Sequence, residues 1–302
     1  MTSFAKSLSA RVDGFTATMS DLYELSKPRI ISLLLITTAA AMVMAARGIP
    51  RLSIFALTLI GGALASASAG AFNCIVDSDI DGLMRRTCAR PLPTGRLSLR
   101  VAAVYAVTTG ALSFGLLYAF VNPLSAWLSL GGNLYYVVVY TLLLKRMTPL
   151  NIVIGGAAGA IPPLVGWAAV TGTIGGPALA LFALIFLWTP PHFWSLALMT
   201  ETDYDRARIP MLPNVSGVSR TKKEIVAYTF VLVAVSLAFV FPLHLFGWIY
   251  GAAALALGAI FTIDALRVYS ADGRTAPRRL FTFSLLYLAL VCAAMVVDRI
   301  LI

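Results

Sequence analysis

Nine apolar runs, most of them close to the ~20 residues a helix needs to cross a bilayer and the first one short, constrain this chain more than any other feature. They lie at residues 30–46, 52–72, 101–120, 123–143, 151–170, 177–198, 225–243, 245–266 and 280–298. The connections between them hold almost all of the charge. With the N-terminus placed in the cytosol, 20 of the 23 Lys and Arg fall on the cytosolic side; only Arg47, Arg51 and Arg299 fall outside. Positive charge marks inner loops, and a wrong span count would scramble this alternation. The pattern predicts an all-α, polytopic membrane protein with nine transmembrane helices, its N-terminus cytosolic and its C-terminus external.

Composition excludes the other classes. At 59% hydrophobic and 12% charged residues, the chain is too apolar for a soluble domain. The net charge of +10 follows from the inner loops, so nucleic acid is not an expected partner. Cys74, Cys88 and Cys292 form no Cys-x-x-Cys pair and suggest neither a disulfide framework nor a thiolate metal site. Residues 1–29 lack the short apolar core of a secretory signal, and Asp13, Asp21 and Glu24 weigh against a transit peptide. They read as a cytosolic N-terminal segment before one membrane domain over residues 30–302.

Chemistry concentrates in the long inner segment after the second run. Asn73, Asp77 and Asp81 are spaced i, i+4, i+8, which stacks them on one face of a helix. Arg85 extends that row if the helix continues, whereas Asp79 points away. Carboxylates four residues apart repel, and a divalent cation between them reverses the sign. Mg²⁺ takes one or two carboxylates and fills its shell with water and phosphate oxygens. Arg85, Arg86 and Arg90 offer the planar forks that suit phosphate. The stretch therefore predicts a Mg²⁺–diphosphate site at a membrane boundary. A topology signal alone would need the arginines but not the acids.

Three further places draw notice. Lys145-Arg146 after the fourth run reads as a topology anchor, or as a cation within reach of phosphate. Gly155, Gly156 and Gly159 open the fifth run as close-packing positions. The sixth run ends in Trp188-Thr-Pro-Pro-His192-Phe-Trp194. There the two prolines withhold backbone donors, and His192 either serves function or satisfies the freed carbonyls. The second long inner segment carries Glu201, Asp203 and Asp205 just past a span, where cations are expected.

The Asn73 to Gly95 stretch resembles the first aspartate-rich motif of the UbiA superfamily of intramembrane prenyltransferases. Its Arg86 to Gly95 tail, with Leu144 to Gly156, Thr189 to Trp194 and Asp203 to Pro213, is similar to the haem O synthase branch. Other family members carry Asp-x-x-x-Asp in the second segment, where this chain has Asp203 followed by Ala207. The branch often has Gly where Arg208 stands. The resemblance implies nine helices around a central cavity capped by the two long inner loops. It implies farnesyl transfer from farnesyl diphosphate to the carbon-2 vinyl of haem B, with addition of water. It implies Mg²⁺ held by Asn73, Asp77, Asp81 and Asp203, substrate contacts from Arg85, Arg86, Arg90, Lys145 and His192, and a bacterial cell inner membrane location. A downstream haem A synthase is the further expected partner. A prenyltransferase acting on an aromatic quinone precursor is the alternative. A transporter is the alternative of another class, disfavoured because the acids gather at one face.

Overall fold

In the computed structural model the described residues are 18–301; Lys6, Arg11 and Asp13 lie outside them. No strand occurs among the described residues. The long helices are α1 (Pro28–Ala46), α2 (Leu52–Val76), α3 (Leu99–Phe120), α4 (Pro123–Leu144), α5 (Asn151–Thr171), α6 (Gly176–Met199), α7 (Leu212–Ala238), α8 (Trp248–Ser270) and α9 (Thr275–Leu301). Eight are long and apolar enough to cross a membrane. The other, α7, spends its early turns on Arg220, Lys222, Lys223 and Glu224.

This α7 is where the expected bounds shift most. The apolar run 225–243 predicts a helix that starts thirteen residues later. The observed helix begins at Leu212, with Pro213 in its first turn, where a missing N–H costs nothing. It is kinked at Gly217, whose φ is 81°. The second long inner loop is therefore mostly helix.

Each helix packs on the next, and α9 returns against α1 to close a ring. Across the ring α1 also packs on α5, and α6 on α9. Small residues set these approaches. A Cβ at Gly155 would strike the Tyr140 ring, and one at Gly156 would come within 2.9 Å of Thr189. Gly159 differs from the packing expectation: nothing lies within 4 Å of its missing Cβ, and it lines a cavity. There the absent side chain leaves room instead of closing a contact.

The two acidic inner segments meet. Ile80 and Met84 of the first share a buried apolar cluster with Tyr204, Ala207, Ile209 and Met211 of the second. Arg208 has a φ of 52°; this left-handed conformation costs a side-chain-bearing residue roughly 1–2 kcal/mol. The turn lets Ile209 drop into that cluster at 2% exposure. This junction caps one end of the ring.

Candidate active site

Under the cap lies a cavity of about 470 Å³, within the range of small-molecule sites. Its walls come from α1, α2, α4, α5, α6 and α9, while no residue of α3, α7 or α8 lines it. The body is apolar, walled by residues such as Leu33, Leu34, Ile161, Val165 and Leu288. At the capped end five cations, Lys27, Arg29, Arg86, Arg90 and Lys145, face two carboxylates, Asp77 and Asp81. That surplus of positive charge suits a polyanion.

The acid row forms differently from a continuous helix. Helix α2 ends at Val76, and Asp77 caps it with φ −88° and ψ 1°. A new short helix, Ser78–Asp81, carries the second acid. Asn73, Asp77 and Asp81 nevertheless all reach the cavity and are 4%, 1% and 2% exposed. The chain then runs through turns, and Arg85 does not continue the row; it is exposed and outside the cavity lining. Of the three arginines in this stretch, Arg86 and Arg90 line it.

One oxygen of each of Asn73, Asp77 and Asp81 already meets a cation or an amide. Asn73 Nδ2 donates to Asp77 Oδ2 at 2.8 Å and lies 3.2 Å from Thr141 Oγ1. Lys145 donates to the same Asp77 oxygen. Arg90 pairs with Asp81 Oδ2 at 2.7 Å. Lys27, just before α1, donates to Asn73 Oδ1, and burial pushes its ammonium below its ordinary value. Asp77 Oδ1 alone is buried with no hydrogen-bond partner; Arg146 Nη2 stands 3.9 Å away. A buried carboxylate oxygen in that state is costly, and an incoming cation would satisfy it. No three His, Cys, Asp or Glu gather into a metal cage among the described residues. The donor set instead offers two carboxylates and an amide, which fits Mg²⁺ with water and phosphate completing its shell.

Helix α4 explains how Lys145 arrives. Over Tyr135–Leu144 it is a π-helix, and Lys145 N donates to Tyr140 O at 2.9 Å. Five residues then close one turn, so Tyr140 and Lys145 share the face that lines the cavity. Such π segments gather at functional sites.

Asp203 sits in the short helix Glu201–Arg206 and is 7% exposed, but it does not line the cavity. Its neighbour Tyr204 does, as does Arg86, whose positive charge acts on the Tyr204 phenol. His192 lines the cavity from α6, and that helix continues unbroken through Pro190 and Pro191. Its Nδ1 meets Ser284 Oγ, not a freed carbonyl. Sequence reasoning missed Lys27 as a partner of Asn73, although the Lys27-Pro28 step marks the start of α1.

A model of the UbiA prenyltransferase family matches residues 34–291. The chain belongs to the UbiA prenyltransferase family. Among curated relatives, a protoheme IX farnesyltransferase of Synechocystis sp. is 52% identical over 95% of this chain and 91% of its own length. Another, of Gloeobacter violaceus, is 51% identical over 96% and 95%. Solved structures share the fold. A digeranylgeranylglyceryl phosphate synthase structure superposes with a TM-score of 0.78 at 18% identity, covering 94% of this chain and 99% of that one. A UbiA homolog from Archaeoglobus fulgidus bound to DMAPP and Mg²⁺ gives 0.68 at 20%, covering 91% and 99%.

Within this UbiA frame the aspartates divide by position. Asp79 is 61% exposed and pairs with Arg146 at 2.7 Å, away from the cavity. The Arg146 hydrogen bond holds its carboxyl below the usual carboxylate range. Asp79→Asn is expected to retain most prenyl transfer under conditions where Asp77→Asn loses it. Side-by-side turnover in one lipid preparation checks this, and equal losses would show that both faces serve the reaction.

Proposed function

We propose that this protein converts haem B to haem O, transferring farnesyl from farnesyl diphosphate to the carbon-2 vinyl group with addition of water. The observation that carries the reading is one cavity with two unlike ends. Carboxylates and cations crowd the capped end, and an apolar body bears a single imidazole. About 50% identity to protoheme IX farnesyltransferases over nearly the whole chain supports the acceptor.

Lys27, Arg86, Arg90 and Lys145 bind the diphosphate and neutralise the charge that grows on it as the allylic C–O bond breaks. Preorganised charge of this kind is where such catalysis gains most. Asp77, Asp81 and Asn73 would hold Mg²⁺, which supplies Lewis-acid stabilisation of the leaving diphosphate. Asp203, buried in the cap beside Tyr204 but off the cavity wall, is the acid proposed for a second ion. As ligands enter, the cations now on Asp77 and Asp81 are freed to turn to the phosphate oxygens. The apolar walls keep water from the farnesyl cation until the vinyl π-bond has captured it. His192 contacts the haem.

The protein sits in the bacterial inner membrane with its N-terminus in the cytosol and its C-terminus outside, and a haem A synthase takes its product. Reporters fused after Leu92 and after Val218 should read cytosolic, and one after Thr173 external; a single reversed reporter breaks this topology. For the activity itself, haem extracted from membranes of cells making the protein should contain haem O that is missing without it. Unaltered haem B in both would overturn the assignment.

A further inference from the structure

His192 has both ring faces covered. Trp188 stacks at 4.3 Å and Phe281 at 4.6 Å between centroids, both near parallel, and Phe193 stands edge-on at 5.3 Å. Only the ring edge can meet a ligand. On that edge Nδ1 lies 2.6 Å from Ser284 Oγ of α9. A proton lies between them, and the second bond of Ser284 decides which atom supplies it.

Ser284 Oγ also lies 2.7 Å from the Phe281 carbonyl oxygen. A carbonyl oxygen cannot donate, so two oxygens at that distance need the single serine proton between them. With its proton spent there, Oγ accepts from the imidazole, and Nδ1 carries the hydrogen. The serine is held in place in turn, since Trp188 Nε1 donates to its carbonyl oxygen at 2.8 Å. No carboxylate bonds to the ring among the described residues, and none of them bonds to Nε2.

We infer that Ser284 is a positioning residue that holds His192 as the Nδ1–H tautomer, so that Nε2 presents its lone pair to the cavity as a ligand for haem iron. The inference rests on the haem-acceptor reading above and chooses between two ways of contacting that acceptor. A bare Nε2 suits an electron-pair acceptor such as iron, whereas an Nε2–H would suit a propionate. Histidines that bind metal usually donate their other N–H to a fixed acceptor, and Ser284 supplies one.

The chain has two histidines, and His244 is exposed in the connection between α7 and α8. Ring-¹⁵N-histidine labelling of the full chain carrying His244→Asn, in lipid nanodiscs without haem, therefore reports His192 alone. The expected spectrum has a protonated Nδ1 and an unprotonated Nε2. Ser284→Ala should mix or reverse the tautomers, and Ser284→Thr, which keeps the hydroxyl, should restore them. In ferric haem titrations, wild type and Ser284→Thr should show a histidine-ligated Soret spectrum. Ser284→Ala should bind haem ~10–100-fold more weakly with farnesyl diphosphate binding unchanged, the latter serving as the check on folding. A protonated Nε2 in the unsubstituted site, or tautomer and haem affinity both unmoved by Ser284→Ala, overturns the inference while tight haem binding keeps the acceptor reading. Absence of haem binding by every variant, with farnesyl diphosphate still bound, overturns the acceptor reading and the iron ligation with it.

Discussion

Asp77→Ala should lower farnesyl transfer by about 10²-fold or more, the size of effect seen when one preorganised electrostatic contact to a developing charge is removed, while the protein still inserts in the membrane. The expectation comes from what surrounds this carboxylate. It caps α2 at 1% exposure, shares Oδ2 with Lys145 and Asn73, and leaves Oδ1 buried without a partner. The Ala variant removes the one group that touches the amide, the lysine and the expected ion together. It also strands Lys145, a change that destabilises a buried pair. Lys145 retains 15% exposure of its side chain and lines the cavity, so its ammonium can turn to solvent or phosphate there. Asp77→Asn keeps the shape and separates lost charge from lost packing, and it should be nearly as inactive. Chelator should inhibit wild type in parallel. Undiminished turnover in excess chelator would remove the metal from the reading.

His192→Ala should cost haem affinity ~10–100-fold or more, since even the residues supporting a metal-binding histidine carry that much, and should leave Mg²⁺-dependent farnesyl diphosphate binding intact. The two functions separate because His192 belongs to the aromatic group on α6 and α9, whereas the diphosphate end is built from α1, α2, α4 and the cap. Truncation opens a gap between Trp188 and Phe281, and a cavity in a packed region costs stability. Haem affinity is therefore read beside thermal stability and farnesyl diphosphate binding. If both ligands weaken as the protein loses stability, the imidazole is structural. If a stable variant binds haem as wild type does, the acceptor contact lies elsewhere in the cavity.

Much of this architecture is legible in one dimension. Eight of the nine expected spans are helices long and apolar enough to cross a membrane, because apolar run length is a local property with a direct physical cause in bilayer thickness. The acids are legible because Asn73, Asp77 and Asp81 recur with helical spacing, and their approach to one cavity survives the break at Asp77. His192 is legible as an ionisable group among apolar residues. The misplaced start of α7 has the same origin in reverse: hydropathy marks where the membrane takes over, while the helix begins earlier at Leu212 under charged residues.

Only the tertiary structure decided which partners meet. Lys27 reaches Asn73 across 46 residues, and Lys145 reaches Asp77 across 68. The second of these needs a π-helical turn that no apolar period announces. Asp203 and Tyr204 are neighbours in sequence, yet the packing of the cap turns Tyr204 to the cavity and leaves Asp203 off its wall. His192 and Ser284 lie 92 residues apart, and what the serine does to the imidazole depends on a third atom, the Phe281 carbonyl. Run length, charge and spacing are set along the chain, so sequence alone carried the membrane class and the acid row. Hydrogen-bond direction and cavity facing are set between helices, where a shift of one residue in register changes every partner.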